Sequence, residues 1–339
     1  MKLSHVLSTK QFSDPSILQR LFELSLEMEK NVKNEKLFPI LNGKVMAALF
    51  YEPSTRTRFS FESAMNRLGG RVISTEAAGQ FSSVTKGETL EDTIRIVGGY
   101  SDVIVLRHSE KGAAEKAASV SSVPVINAGD GAGEHPTQAL LDMYTIWREH
   151  GRMNSLNVVM LGDMLYGRTV HSLVQLLSSF ENNRILLVSP SSLKLPDGYA
   201  QILREKNILF DEVEQLPEDL SKVDVLYVTR IQKERFANAN EYELVKNCCN
   251  VNGDLLSRLP PHTIIMHPLP RVGEISPEID HDPRAAYFRQ ARNGLFVRMS
   301  LLELLFDKRS LEQDTLKASE RGFDEPFSKR FSERSFFKI

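Results

Sequence analysis

Short apolar runs of strand length alternate along this chain with longer stretches in which apolar residues return every three or four positions. Residues 44–50 (KVMAALF) form one such run, and beyond a polar turn Phe61, Ala64, Met65 and Leu68 recur at helical spacing until Gly69 and Gly70 stop them. Ahead of both, Asp14 and Pro15 open a helix whose Ile17, Leu21, Leu24 and Met28 share one face. A strand at 71–74 leads into a polar, small-residue stretch, 76–87, that reads as a long mobile loop. Helix 88–97, strand 102–106, helix 110–120 and strand 124–127 follow, and a helix opens at His135-Pro136 and runs to about 150. The pattern then repeats: strand 156–161, helix 167–180, strand 184–189, helix 197–206, strands 208–213, 224–228 and 263–266, and a long helix over 284–306. Such alternation implies parallel sheets with helices on both faces. The expectation is an α/β protein of two doubly wound domains, residues 1–150 and 151–283, with helix 284–306 packing back on the first and the active site between them.

Composition narrows the function classes. A chain of 339 residues suits two cores, and 41% apolar with 25% charged residues is ordinary for a soluble globular protein. A net charge of −2 gives no overall basic field, which argues against nucleic acid as a partner. Local basic groups then imply local anions. Cys248 and Cys249 are the two cysteines, and an adjacent pair builds neither a disulfide framework nor a zinc site; a reducing, cytoplasmic setting is expected. The first residues lack the apolar core of a secretory signal, and no run approaches membrane-spanning length, so no membrane partner is expected. Residues 307–339 read either as a disordered, solvated extension or, from the four-residue spacing of Phe323, Phe327 and Phe331, as a docking segment.

Ligands of open parallel sheets bind beyond the carboxyl ends of the strands, so the residues after each expected strand are where chemistry should gather. Ser54, Thr55, Arg56, Thr57 and Arg58 follow the strand at 44–50. The unpaired N–H groups of a helix's first turn, its dipole, hydroxyl donors and guanidinium forks together make a phosphate cradle without a P-loop. A plainly capped helix would need fewer hydroxyls and arginines than these five residues supply. Arg107 follows strand 102–106, and His135 and Gln138 follow strand 124–127. In the second half, Arg168 and Thr169 come after residue 161, Arg230 and Gln232 after 228, and His267, Pro268 and Leu269 after 266. Each has a plainer reading: a surface charge for Arg107, a helix-opening residue for His135, an exposed first-turn residue for Arg168. A cation at a helix N-terminus opposes the dipole, however, so Arg168 suits a bound carboxylate. Arg230 and Gln232, two apart, point the same way if the chain there is extended. Residues 162–169 resemble a Walker A loop but place Arg168 where the lysine belongs, and neither a GxSxG elbow nor a paired-His metal motif is present. The expected chemistry uses no metal, no cofactor and no covalent nucleophile.

STRTRFSFE at 54–62, KGETLEDT at 86–93, GEHPTQALLD at 133–142, GRTVHSL at 167–173, TRIQKER at 229–235 and HPLPR at 267–271 stand in one order. From about residue 4 to about 306, the chain thereby resembles the catalytic chains of the aspartate carbamoyltransferase family. The resemblance implies transfer of the carbamoyl group of carbamoyl phosphate to the amine of L-aspartate, a step of pyrimidine biosynthesis, in a homotrimer, with a regulatory chain as a partner left open. It implies a carbamoyl phosphate-binding domain at 1–150 and an aspartate-binding domain at 151–283. Ser54, Thr55, Arg56, Thr57 and Arg107 would hold the phosphate; Thr57, Arg107 and His135 the carbonyl oxygen; Gln138 and the backbone carbonyls of Pro268 and Leu269 the carbamoyl nitrogen. Arg168, with Thr169 beside it, would hold the α-carboxylate of aspartate, and Arg230 with Gln232 its side-chain carboxylate. Ser82 and Lys86 would reach the site from a neighbouring subunit, Lys86 serving both substrates. Thr85 stands where some relatives carry a second lysine, which makes that loop less basic. Two rival readings are an ornithine carbamoyltransferase, whose second amine Arg230 would repel, and a non-catalytic carbamoyl phosphate-binding scaffold.

Overall fold

The computed structural model of the chain describes residues 3–36, 38–76, 87–231, 242 and 249–306. The Asp14 carboxylate accepts the Ser16 N–H at 2.9 Å and caps α1 (Pro15–Lys33), with Pro15 in its first turn. β1 (Val45–Phe50), α2 (Thr55–Arg67), β2 (Arg71–Glu76), α3 (Leu90–Gly98), β3 (Val103–His108), α4 (Ala113–Val120) and β4 (Val125–Asp130) follow. α5 (Pro136–His150) ends on Gly151 in the left-handed region, φ 69°, which only glycine occupies without cost. The second unit contains β5 (Asn157–Leu161), α6 (Arg168–Leu177), β6 (Arg184–Val188), α7 (Asp197–Glu205), β7 (Leu209–Val213), β8 (Val225–Val228), α8 (Gly253–Arg258) and β9 (Ile264–Met266). α9 (Tyr287–Phe306) closes the described chain.

Among the described residues the strands form two wholly parallel sheets, β2-β1-β3-β4 and β7-β6-β5-β8-β9. Alternate residues of the central strands enter different cores, because both faces of each sheet are covered. Met46, Ala48 and Phe50 of β1 join a large cluster with Phe22, Phe61, Tyr144 and Phe296, whereas Ala47 and Leu49 pack with Ile94 and Ala117. In the second sheet Val158 and Met160 join the large cluster that holds Leu173 and Leu177, whereas Val159 and Leu161 join a separate one with Leu193, Val228 and Leu255. α9 packs on α1, α2 and α5, so the last helix buries its apolar side against the first sheet's helices. In each sheet strand order reverses once, between β1 and β3 and between β5 and β8. The loops leaving those strands line the crevice in which doubly wound sheets bind ligands.

The expected fold class holds, with shifts at several element ends. β3 extends to His108, because Arg107 keeps its register opposite Phe50 of β1. Arg107 therefore lies in the strand and not after it. α4 starts at Ala113 and not at 110, since Gly112 turns left-handed at φ 84° just before it. α9 starts at Tyr287 and not at 284: Arg284 instead folds back to donate to the carbonyls of Leu256 and Leu259 at 2.9 and 2.7 Å.

Candidate active site

The carboxyl ends of β1, β3, β5, β8 and β9 meet around one open cavity of about 490 Å³. The first half contributes Ser54, Thr55, Arg56, Thr57, Arg107, His135 and Gln138, and the second Arg168, Thr169, Arg230, Pro268 and Leu269. Ser82, Lys86 and Gln232 lie outside the described residues, as does the extension at 307–339.

The cradle at the start of α2 is not spent on capping. Ser54 occupies the N-cap position, yet its hydroxyl makes no cap hydrogen bond. The first-turn N–H groups and the hydroxyl therefore remain available to an anion. Thr57 is buried beneath them, and burial holds the Arg56 guanidinium below its ordinary pKa. Arg58, expected as a second fork, turns away: its Nη2 lies 3.1 Å from Glu76 and its Nε 3.8 Å from Glu62, and it does not line the cavity.

Arg107 and Arg168 approach from opposite halves. Arg107 Nη1 donates to the Ala128 carbonyl at 3.1 Å, and Arg168 Nη1 to the Gly131 carbonyl at 2.6 Å. The remaining fork of each faces one carboxylate, Glu52 Oε2, at 3.0 and 3.4 Å. Burial, reinforced by Arg168, lowers Arg107 to about 10 despite Glu52. The two guanidinia are thus charged, desolvated and pre-aimed, with an internal carboxylate between them. His135 heads α5 with its backbone N–H on Ser172 Oγ at 3.2 Å. Burial, then Arg168, Arg107 and Arg298, push its imidazole well below its ordinary pKa, so it is neutral at physiological pH.

The loop before α5 is tied down from several sides. Asp130 accepts the N–H groups of Gly112 and Glu134, both at 2.8 Å, and Glu134 in turn accepts from the Ser8 hydroxyl and the Thr9 N–H, each at 2.7 Å. On the opposite wall, the Leu269 N–H donates to His267 Nδ1 at 2.7 Å, which leaves the His267 Nε2–H to donate to Glu274 Oε1 at 2.7 Å. This holds Leu269 at φ 56°, an uncommon angle for a side-chain-bearing residue, at the cavity edge.

Sequence reasoning left several cavity residues unassigned. Glu52 precedes the cradle, and the same rule that singled out the strand ends would have found it. Gln290 and Arg298 also line the cavity, from α9. They sit, with Gly294 between them, at four-residue steps on a helix read only for its apolar stripe; both are buried. Arg298 donates to Ser60 Oγ at 2.8 Å and lies 5.1 Å from the Phe61 ring. Burial lowers it to about 10.

Two family models cover most of the chain: aspartate/ornithine carbamoyltransferase, carbamoyl-P binding domain, over residues 4–148, and aspartate/ornithine carbamoyltransferase, Asp/Orn binding domain, over residues 154–305. The chain is 54% identical to a chloroplastic aspartate carbamoyltransferase of Arabidopsis thaliana over 90% of its own length and 78% of that protein. It is 50% identical to the aspartate carbamoyltransferase catalytic subunit of Methanocaldococcus jannaschii, over 90% of its length and 98% of that subunit. The solved M. jannaschii catalytic subunit superposes with a TM-score of 0.84 at 48% identity, covering 90% of this chain and 99% of that one. Aspartate transcarbamoylase from Trypanosoma cruzi in complex with carbamoyl phosphate and aspartate gives a TM-score of 0.84 at 39% identity, covering 90% and 96%. The chain belongs to the aspartate/ornithine carbamoyltransferase family, as an aspartate carbamoyltransferase catalytic chain.

Proposed function

We propose that the chain catalyses attack of the L-aspartate amine on the carbonyl carbon of carbamoyl phosphate, giving N-carbamoyl-L-aspartate and phosphate. The observation that carries this reading is the convergence of Arg56, Arg107, Arg168 and Arg230 from both halves on one cavity, with Ser54 free of any capping bond. Two substrates that between them carry a phosphate and two carboxylates match such a gathering of guanidinium groups. Arg56, Ser54, Thr55, Thr57 and Arg107 receive the phosphate at the head of α2. Thr57, Arg107 and the neutral His135 donate to the carbonyl oxygen as it becomes an oxyanion. Gln138 and the carbonyls of Pro268 and Leu269 accept from the carbamoyl nitrogen. Arg168, with Thr169, takes the α-carboxylate of aspartate, and Arg230 with Gln232 its side-chain carboxylate.

The C–N bond forms, the C–O bond to phosphate breaks, and the departing phosphate accepts the amine's proton. Holding two substrates in register supplies roughly 7 to 11 kcal/mol of the barrier reduction, and each oxyanion donor about 3 to 4 kcal/mol. Positioning and electrostatics therefore suffice without a covalent intermediate. The active unit in this reading is a homotrimer in which Ser82 and Lys86 come from the adjacent chain. An ornithine site would place a second amine against Arg230, which repels it. The test is product formation from carbamoyl phosphate with L-aspartate, beside parallel reactions with L-ornithine. Carbamoylated product with aspartate alone is expected; product with ornithine alone would refute the assignment of Arg230.

A further inference from the structure

Asp142 lies four residues after Gln138 on the same face of α5 and is fully buried. It does not line the cavity, yet three donors from three separate elements end on it. Gln138 Nε2 donates to its Oδ1 at 2.8 Å, Gln290 Nε2 from α9 to the same oxygen at 2.6 Å, and the Tyr227 hydroxyl from β8 to Oδ2 at 2.8 Å. Gln290 continues the chain, since its Oε1 accepts the His267 N–H at 2.9 Å. His267 is the residue that fixes Leu269 through Nδ1. An amide oxygen and nitrogen are interchangeable in shape but opposite in hydrogen bonding. An ionised carboxylate accepts and never donates, so it dictates the orientation of any amide that faces it.

We propose that Asp142 is the positioning residue that makes the cavity read an amine on the carbamoyl carbon. By drawing the Gln138 Nε2 toward itself it turns the Gln138 Oε1 to the cavity. By drawing the Gln290 Nε2 it presents the Gln290 Oε1 to the His267 N–H, which sets the backbone carrying the carbonyls of Pro268 and Leu269. One buried carboxylate thus commits two separate walls to acceptors, the complement of an –NH₂ donor. An acyl phosphate with a methyl group in that place gains nothing from either. This inference rests on the proposed reading that carbamoyl phosphate is the substrate.

The test compares the full-length protein with Asp142→Leu and Gln290→Met by titration with carbamoyl phosphate and with acetyl phosphate at pH 8. That pH lies above the value of about 7 to which burial raises the Asp142 carboxyl against its hydrogen bonds from Gln290, Tyr227 and Gln138. Asp142→Leu removes the acceptor that orients both Gln amides, which an asparagine would not, since its amide oxygen would serve both Nε2 groups while its Nδ2 donates to the Tyr227 hydroxyl. Carbamoyl phosphate affinity is expected to fall roughly ten- to a hundredfold, the consequence of an unmatched buried polar group, while acetyl phosphate affinity changes less than about threefold. Gln290→Met, which leaves the carboxylate in place and cuts the relay to His267, should show the same selective loss to a smaller extent. Equal loss for both ligands would mean a merely structural role and overturn the proposal, as would an unchanged ratio in both variants. Failure of the parent protein to favour carbamoyl over acetyl phosphate would instead refute the functional reading on which the inference depends.

Discussion

Ser54 and His135 show how single residues at element ends are withheld from structural duty. An N-cap serine normally stabilises its helix by about 0.5 to 2 kcal/mol through a bond to the first turn, and Ser54 makes none. Ser54→Ala should therefore leave the melting transition nearly unmoved, within about 0.5 kcal/mol. The same change should weaken carbamoyl phosphate binding roughly ten- to a hundredfold through loss of a charge-assisted hydrogen bond. A lowered melting point with unchanged affinity would show that the hydroxyl is a cap after all. His135 is depressed by burial first and then by Arg168, Arg107 and Arg298. Its unfolded imidazole titrates near 6.5, so below that pH the unfolded chain binds the extra proton and the folded one does not. Stability from this residue is accordingly present above about pH 6.5 and lost as pH falls below it. Urea midpoints measured from pH 7.5 to 5.5 should decline less steeply in His135→Gln than in the parent. Burial depresses His108, His150 and His171 in the same direction, so the slope should weaken without vanishing; identical slopes would contradict the assignment.

At the scale of elements, the strand ends decide how the cations sit. Gly129, in β4 at φ 117°, has its N–H on Asn127 Oδ1 at 2.8 Å, and a methyl group there would lie 3.0 Å from Arg107 Nη1 and 3.4 Å from Arg168 Cζ. Gly129→Ala should cost about 1 to 3 kcal/mol of backbone strain and also displace both guanidinia, weakening carbamoyl phosphate and aspartate together. Gly43→Ala provides the control: its φ of 81° exacts a similar conformational cost, but nothing lies within 4 Å. If the two variants lost stability alike and kept equal kcat/KM, the crowding argument at Gly129 would fail. These elements were legible in the sequence because strands buried on both faces read as unbroken apolar runs between Gly, Pro and polar turns. Their ends were less so, since Arg107 is kept in β3 by its register with Phe50 of a strand more than fifty residues away, which no local window records. Ser54, Arg56, Arg168 and Arg230 were found because they follow strand ends. Gln290 and Arg298 escaped because a polar residue on an amphipathic helix reads as solvated until the packing of α9 on α2 and α5 buries it.

For the whole molecule, the site is a product of two sheets and, in the proposed trimer, of two chains. Phe59 of α2, Ile73 of the edge strand β2, Ile96 of α3 and Tyr100 just beyond it are all exposed, at 54, 45, 48 and 69%. Exposed large apolar side chains on β2 and α3, the elements on either side of residues 77–86 in the chain, support a subunit contact there, the place from which Ser82 and Lys86 would enter the next chain's cavity. Heterologous contacts that close into a ring pair each chain's site with its neighbour's segment, and complementation follows from that geometry. Lys86→Ala and Arg56→Ala should each be almost inactive alone. When the two are mixed, dissociated and reassociated, a site is intact where a Lys86→Ala chain, which keeps Arg56, receives its neighbour's loop from an Arg56→Ala chain, which keeps Lys86. Each condition holds half the time in random trimers, so about a quarter of the parental activity should return. If each chain supplied its own Lys86, every site in the mixture would lack one residue or the other, and no activity would return. The recovered fraction therefore distinguishes shared from self-contained sites without reference to how tightly the subunits bind.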